Sequence, residues 1–307
     1  MQVSLSERFR GLWLGAYGAL ALQGDGRGRS QGASVALDAL RWGMGIGGGG
    51  GVLSASPLGP GPLDGVTTPM IALGAGVVAG LEHHDELQEG VAAGLALALV
   101  RSLAAVPLLS DGDRGMLRPW FEAIAWGVAG VIAPHPPDEP WLRALLAQGV
   151  RRTWGEPVQS ALREALGSPL PLAPDPLEMT DHAAPEPDRD RALDLEAPRR
   201  ILAATFQAIA QTGGTWTLAV EGAARTGGWG AALLTGAIAG AIGGAQRIDP
   251  DALLALDAAA TAQAIAQGEQ HLNRWAGRLD AIAPMNGSTA APFAVLAPSP
   301  QVFRRSS

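Results

Sequence analysis

The chain has 307 residues, 47% of them hydrophobic and 17% charged, which is enough apolar content for a substantial core. The formal net charge of −7 argues against broad nucleic-acid binding, which needs basic patches. All 22 basic residues are arginine and there is no cysteine, so a lysine Schiff base, a P-loop lysine, disulfides, thiolate nucleophiles and cysteine-bearing zinc sites are excluded.

The first 25 residues carry Glu7 and Asp25 and lack the layout of a signal peptide, so the expected location is the cytoplasm. The chain opens on a helix pattern. Ser4 and Glu7 have capping-box spacing, and Phe9, Leu12, Trp13, Ala16, Tyr17 and Leu20 follow as one apolar stripe. Residues 23–66, rich in Gly, Ser and Pro, read as loop, with a short helix at 33–42. Thr68-Pro69 is an N-cap with proline at the first helical position, leading "MIALGAGVVAGLEHH". Asp85 caps a further helix, "ELQEGVAAGLALALVRSLA". Helices are expected over 119–133, 140–154 and 156–166, the last stopped by Gly167.

Residues 168–192 are dominated by proline and acidic side chains and read as a loop or linker. Helices resume over 198–211, 216–225, 230–245 and 250–278, the last begun by Asp249-Pro250 and roughly 40 Å long. No alternating strand pattern occurs, so the expected class is all-α. Residues 1–298 read as one domain and 299–307 as a tail.

Residues 226–246, between Arg225 and Arg247, carry no charge and are long enough to cross a bilayer. Seven of them are glycine and most others alanine or threonine, so insertion gains little. Leu234, Ile238 and Ile242 form one stripe, and Gly236, Gly240 and Gly244 another, where a neighbouring backbone can approach closely. A tightly packed helix fits this pattern best. GxxxG spacing also marks membrane helix pairs, which keeps peripheral membrane association as a third functional class.

Three segments carry a resemblance. "RFRGLWLGAYGALAL" (8–22), "DGVTTPMIALGAGVVAG" (64–80) and "GGWGAALLTGAIAGAIGGAQRIDP" (227–250) resemble, in order, the motifs of the ADP-ribosylglycohydrolase family. The resemblance implies an orthogonal multi-helix bundle of that type. It also implies hydrolysis of ADP-ribosyl glycosidic bonds with two Mg²⁺ ions held by Asp, Thr and Glu oxygens. This sequence departs from the family at each acidic position. Ala19 stands at the aspartate of the first motif. Thr67 and Thr68 remain in the second, followed by Pro69 and Met70. Trp229 and Ala231 stand at the acids of the third, and aligning on the later glycines puts Gly227 and Trp229 there instead.

The metal site as the family builds it is therefore missing. The expectation is a non-catalytic relative without a cofactor, acting as a binding, regulatory or scaffold protein on a protein or nucleotide-like ligand, with a homo-oligomer left open. The alternative is a divergent glycoside hydrolase, with Mg²⁺, using relocated acids. Asp25 and Asp64 are nearest the first two motifs and Glu221 lies near the third. Trp229 is expected to point into the former cleft against the helix starting at Pro69, near Trp13 or Met70; the alternative is an ordinary core or surface tryptophan.

Other motifs carry less. Gly43-x-Gly45-x-x-Gly48 lacks the strand of a dinucleotide fingerprint and reads as loop. "EHHDE" (82–86) places His83 and Glu86 at a chelating spacing, but Asp85 reads more simply as a cap and the histidines suit the end of the preceding helix. "DGDRG" (111–115) lacks the later ligands of a calcium loop and reads as a turn. His271, one turn before Trp275, reads as structural or exposed. None of the histidines at 83, 84, 135, 182 and 271 falls in a hydrolase pattern.

Overall fold

The computed structural model describes residues 3–23, 44, 67–88, 95, 111–133, 141–167, 196–256 and 258–277. Every regular element among them is helical, and none is a strand. The expected short helix at 33–42, nearly all of 86–104, and the 168–192 segment lie outside the described residues.

Helix α1 runs Leu5–Gln23, and Ser4 Oγ accepts the Glu7 amide at 3.3 Å, the expected cap. Helix α2 is Thr67–Glu82 and α3 is His84–Gln88. The start of α2 falls ahead of the Thr68 cap read from sequence. Asp85 stands inside the first turn of α3 rather than before it, an acidic residue where the helix dipole favours one. Helix α4 is Asp111–Ile132. The "DGDRG" segment is thus the opening turn of a helix and not a free turn, with Arg114 donating to Asp111 at 2.9 Å. Pro119 lies inside α4 and does not start it.

Helices α5 (Trp141–Arg151) and α6 (Glu156–Gly167) follow. Thr153, in the left-handed region at φ 55°, turns the chain between them. Helix α7 is Glu196–Thr212. Helix α8, Trp216–Gly243, is interrupted at Gly228, with φ 70° and ψ −162°. The indole of Trp216 donates to the Gly236 carbonyl at 3.1 Å. Twenty residues of straight helix would span roughly 30 Å, so α8 folds back on itself at Gly228. It is a hairpin of two arms, as the expected helices at 216–225 and 230–245 require.

The single helix expected over 250–278 is divided into α9 (Pro250–Leu254) and α10 (Ala258–Trp275). The start is as read: the Asp249 carboxylate accepts the Asp251 amide at 2.9 Å, with Pro250 next. The break is set by docking at both ends. Thr217 donates to Asp249 at 3.2 Å and ties the start of α9 to α8, whereas α10 packs along α1.

Packing is dominated by α1 against α8, then by α8 against α7, α2 against α4, and α1 against α10. Helix α1 was expected to bury one stripe. Instead every residue from Gly11 to Leu20 is buried, because α8, α9 and α10 cover it from several sides. Met70–Leu81 of α2 and Ala231–Ala241 of α8 are likewise buried all round. This accounts for the long uncharged runs: no helix among the described residues is long and apolar enough to cross a membrane.

The α1–α8 contact is made by glycine faces. A methyl group at Gly15 would lie 2.0 Å from the Gly236 carbonyl oxygen, and one at Gly11 only 2.1 Å from that of Gly240. The converse holds at Gly236 and Gly240, whose methyls would strike Gly15 and Gly11. The expected small-residue face of α8 is thus seated on a matching Gly-x-x-x-Gly face of α1. The α2–α4 pair repeats the device, with Gly76 and Gly80 against the carbonyls of Phe121 and Ala125.

Gly15→Ala and Gly240→Ala are expected to cost about 3 kcal/mol or more, above the ordinary overpacking range because backbone must move. Gly130→Ala, where a methyl meets nothing within 4 Å, is expected to gain about 0.5 kcal/mol. Urea unfolding followed by circular dichroism measures both; equal effects at the two kinds of site would refute the close-packing account.

Candidate functional site

The motif segments come together around the second arm of α8. Ala19 of α1 is fully buried, with its Cβ 2.7 Å from where a Cβ on Gly236 would stand. Met70, near the start of α2, is fully buried, and its sulfur lies 3.0 Å from the corresponding position at Gly230. Ala231 is fully buried and its carbonyl accepts from Thr205 Oγ1 of α7 at 3.4 Å. Thr67 and Thr68 belong to the first turn of α2; their side chains lie outside the described residues. Trp229 follows the α8 reversal and is half-buried against the main core, rather than wholly enclosed.

The glycines of "GGWGAA" have structural duties here. Gly228 supplies the left-handed turn, and a methyl at Gly227 would lie 2.7 Å from the Ala204 Cβ of α7. At the positions where the family whose motifs these segments resemble carries acids, Ala19 and Ala231 offer methyl groups, and Trp229 an indole with no lone pair for a metal. These donors do not fit Mg²⁺, which requires clustered oxygens. Among the described residues no group of three or more Asp, Glu, His or Cys is placed to hold a metal ion. Asp25 and Asp64 lie outside the described residues, as do Gly43, Gly45 and Gly48. Glu221 is on the first arm of α8, 3.7 Å from Arg225 one turn away.

A second polar constellation joins α2, α1 and α10. His271 Nδ1 donates to Glu82 Oε1 at 2.6 Å, across 189 residues of sequence, and His271 is only 3% exposed. Its ring stacks on Trp13 of α1, with centroids 5.5 Å apart and planes at 15°. Burial lowers the Arg274 pKa from its ordinary value, and the nearby Glu82 carboxylate offsets part of that cost. One turn away, His84 Nδ1 donates to the Leu81 carbonyl at 2.7 Å, capping the end of α2 as its position suggested. Its ring stacks on Trp275, with centroids 6.1 Å apart. His83 and Glu86 face each other at 3.6 Å, an ion-pair spacing on the surface.

The Glu82–His271 pair was missed at the level of sequence. Nothing local links the two residues, and His271 sits among Ala, Gln and Asn on α10. The one signal is an i, i+4 His–Trp pair on a helix otherwise poor in large side chains. The arrangement fastens helices: the imidazole is shielded by Trp13 and almost wholly enclosed.

No family model, curated protein or solved structure matches the chain.

Glu82→Leu and His271→Phe are each expected to cost about 3–5 kcal/mol, because either leaves a buried polar partner uncompensated. The double variant is expected to cost clearly less than their sum. Chemical denaturation of all four proteins in a double-mutant cycle measures the coupling; strict additivity would show that the pair does not act as a unit.

Proposed function

We propose that this protein is a non-catalytic relative of the ADP-ribosylglycohydrolases that works as a binding or scaffold protein. One observation carries the reading. Two positions that would hold metal-binding acids are Ala19 and Ala231, both fully buried among helices, one of them against the glycine face of α8. A carboxylate at either place would be desolvated without a partner, a cost of several kcal/mol. Side chains of that size and polarity belong to a packed helix junction, not to a cleft that admits water and substrate.

The all-helical architecture agrees with the family's fold class. The convergence of α1, α2 and α8 brings the three resembling segments to one region. With alanine at both of these positions, the role we propose is recognition of a nucleotide-like ligand or of a protein.

Full-length protein is expected to show no turnover of ADP-ribosylated protein, with or without Mg²⁺, and Ala19→Asp combined with Ala231→Asp is expected to destabilise it without creating activity. Calorimetric titration with ADP-ribose then separates the two binding roles. Heat of binding without turnover identifies a sensor, and no heat identifies a scaffold. Mg²⁺-dependent turnover by the unaltered chain overturns the proposal in favour of a hydrolase with acids such as Asp25 and Asp64 relocated into its site.

A further inference from the structure

Helices α3, α4 and α5 border a surface cavity of about 330 Å³. Leu87, Trp126, Gly130 and Trp141 line it, and Gln148 and Arg151 form a polar edge. The volume falls within the usual range for small-molecule sites, roughly 300–1,000 Å³. None of its helices is α1 or α8, so the cavity lies apart from Ala19 and Ala231.

The charged edge of the cavity is positive. Arg10, Arg114, Arg118, Arg163, Arg199 and Arg225 each face a carboxylate within 4 Å. Arg151 and Arg152 face none among the described residues, and neither do Arg8, Arg143, Arg200, Arg247 and Arg274. Arg152 lies over the Trp126 ring, with 4.5 Å between guanidinium carbon and centroid. Arg151 Nε is turned back to the Ala147 carbonyl at 3.4 Å, a weak contact that leaves its terminal nitrogens available. Trp141 is held edge-on by Phe206 of α7, centroids 5.1 Å apart, which fixes one wall. Among the described residues no acidic side chain lines the cavity.

The geometry points to a binding site for a small flat aromatic anion. Its ring enters between the indole-bearing walls of α4 and α5. Its carboxylate, sulfonate or phosphate meets Arg151 at the edge, with Arg152 adding positive potential from the face of Trp126. Two indoles supply stacking surface, and a guanidinium supplies paired donors for the acid group.

The probe for the test is 1-anilinonaphthalene-8-sulfonate, with the uncharged N-phenyl-1-naphthylamine as comparator, both titrated into the full chain by fluorescence and calorimetry. The sulfonate is expected to fill one saturable site. Arg151→Ala with Arg152→Ala is expected to weaken the sulfonate about tenfold or more, the loss of a charge-assisted hydrogen bond, and to leave the neutral probe little changed. Gly130→Leu places a side chain where a methyl meets nothing within 4 Å, and is expected to remove binding of both probes while the helical spectrum is kept. Should Gly130→Leu not fold, Ala144→Phe on the exposed face of α5 fills the same space. Binding that never saturates, that survives the filling variant, or that falls equally for both probes on removing the arginines would overturn the assignment.

Discussion

Helices α1 and the second arm of α8 approach so closely that their backbones touch, and the other contacts are arranged around that junction. Gly11, Gly15, Gly236 and Gly240 leave no side chain between the two axes. The contact gains dispersion along two continuous surfaces, at the entropic expense of placing glycine in helix interiors. Once the pair is formed, both helices present their remaining faces outward to further partners. Helix α10 lays Gly268 against the backbone of Phe9 and Arg10, the first arm of α8 lays Trp216 against Gly18, and α7 closes over the other side of α8. A core assembled this way needs helices that are apolar on every side. It therefore looks, residue by residue, like membrane sequence.

So uniform an interior has few means of specifying orientation, and the polar groups supply them. Trp216 hydrogen-bonds across the α8 reversal, His271 and Glu82 tie α10 to α2, and Trp154 donates to Glu122 at 3.0 Å to fix the α5–α6 turn against α4. Arg8 donates to the carbonyl of Ile132, joining the first turn of α1 to the end of α4. Each of these bonds has a defined direction, whereas alanine and glycine surfaces can slide past one another by a turn at little cost. A buried polar pair fixes register in the same way elsewhere, even where it adds little net stability.

Local chemistry made much of this fold legible. The Ser4 and Asp249 caps, the helix class and the small-residue face of α8 follow from spacing alone, since each depends on neighbours within four residues. Features set by distant partners were not. The α9–α10 break has no glycine or proline to announce it. The burial of α1 on all sides depends on helices more than 200 residues away, and Glu82 finds His271 only through the packing of α10 on α1 and α2. In the candidate region, the lack of carboxylates at Ala19, Trp229 and Ala231 was visible as residue identity. The tightness of the surroundings was not, because a glycine that admits a ligand and a glycine that admits another helix are the same letter.

The pairing of α1 with α8 also sets a timetable. Gly15 leaves the ribosome some 220 residues before Gly236 can reach it, which at ordinary rates of about 5–20 residues per second is roughly ten to forty seconds. Throughout that interval the α1 segment lacks its main partner, and its glycine face is not yet covered by α8. Its other main partner, α10, emerges later still. The nascent chain must therefore keep α1 parked, on other segments or on a chaperone, until α8 has been made. High contact order, usually discussed for sheets, here arises in a protein built of helices.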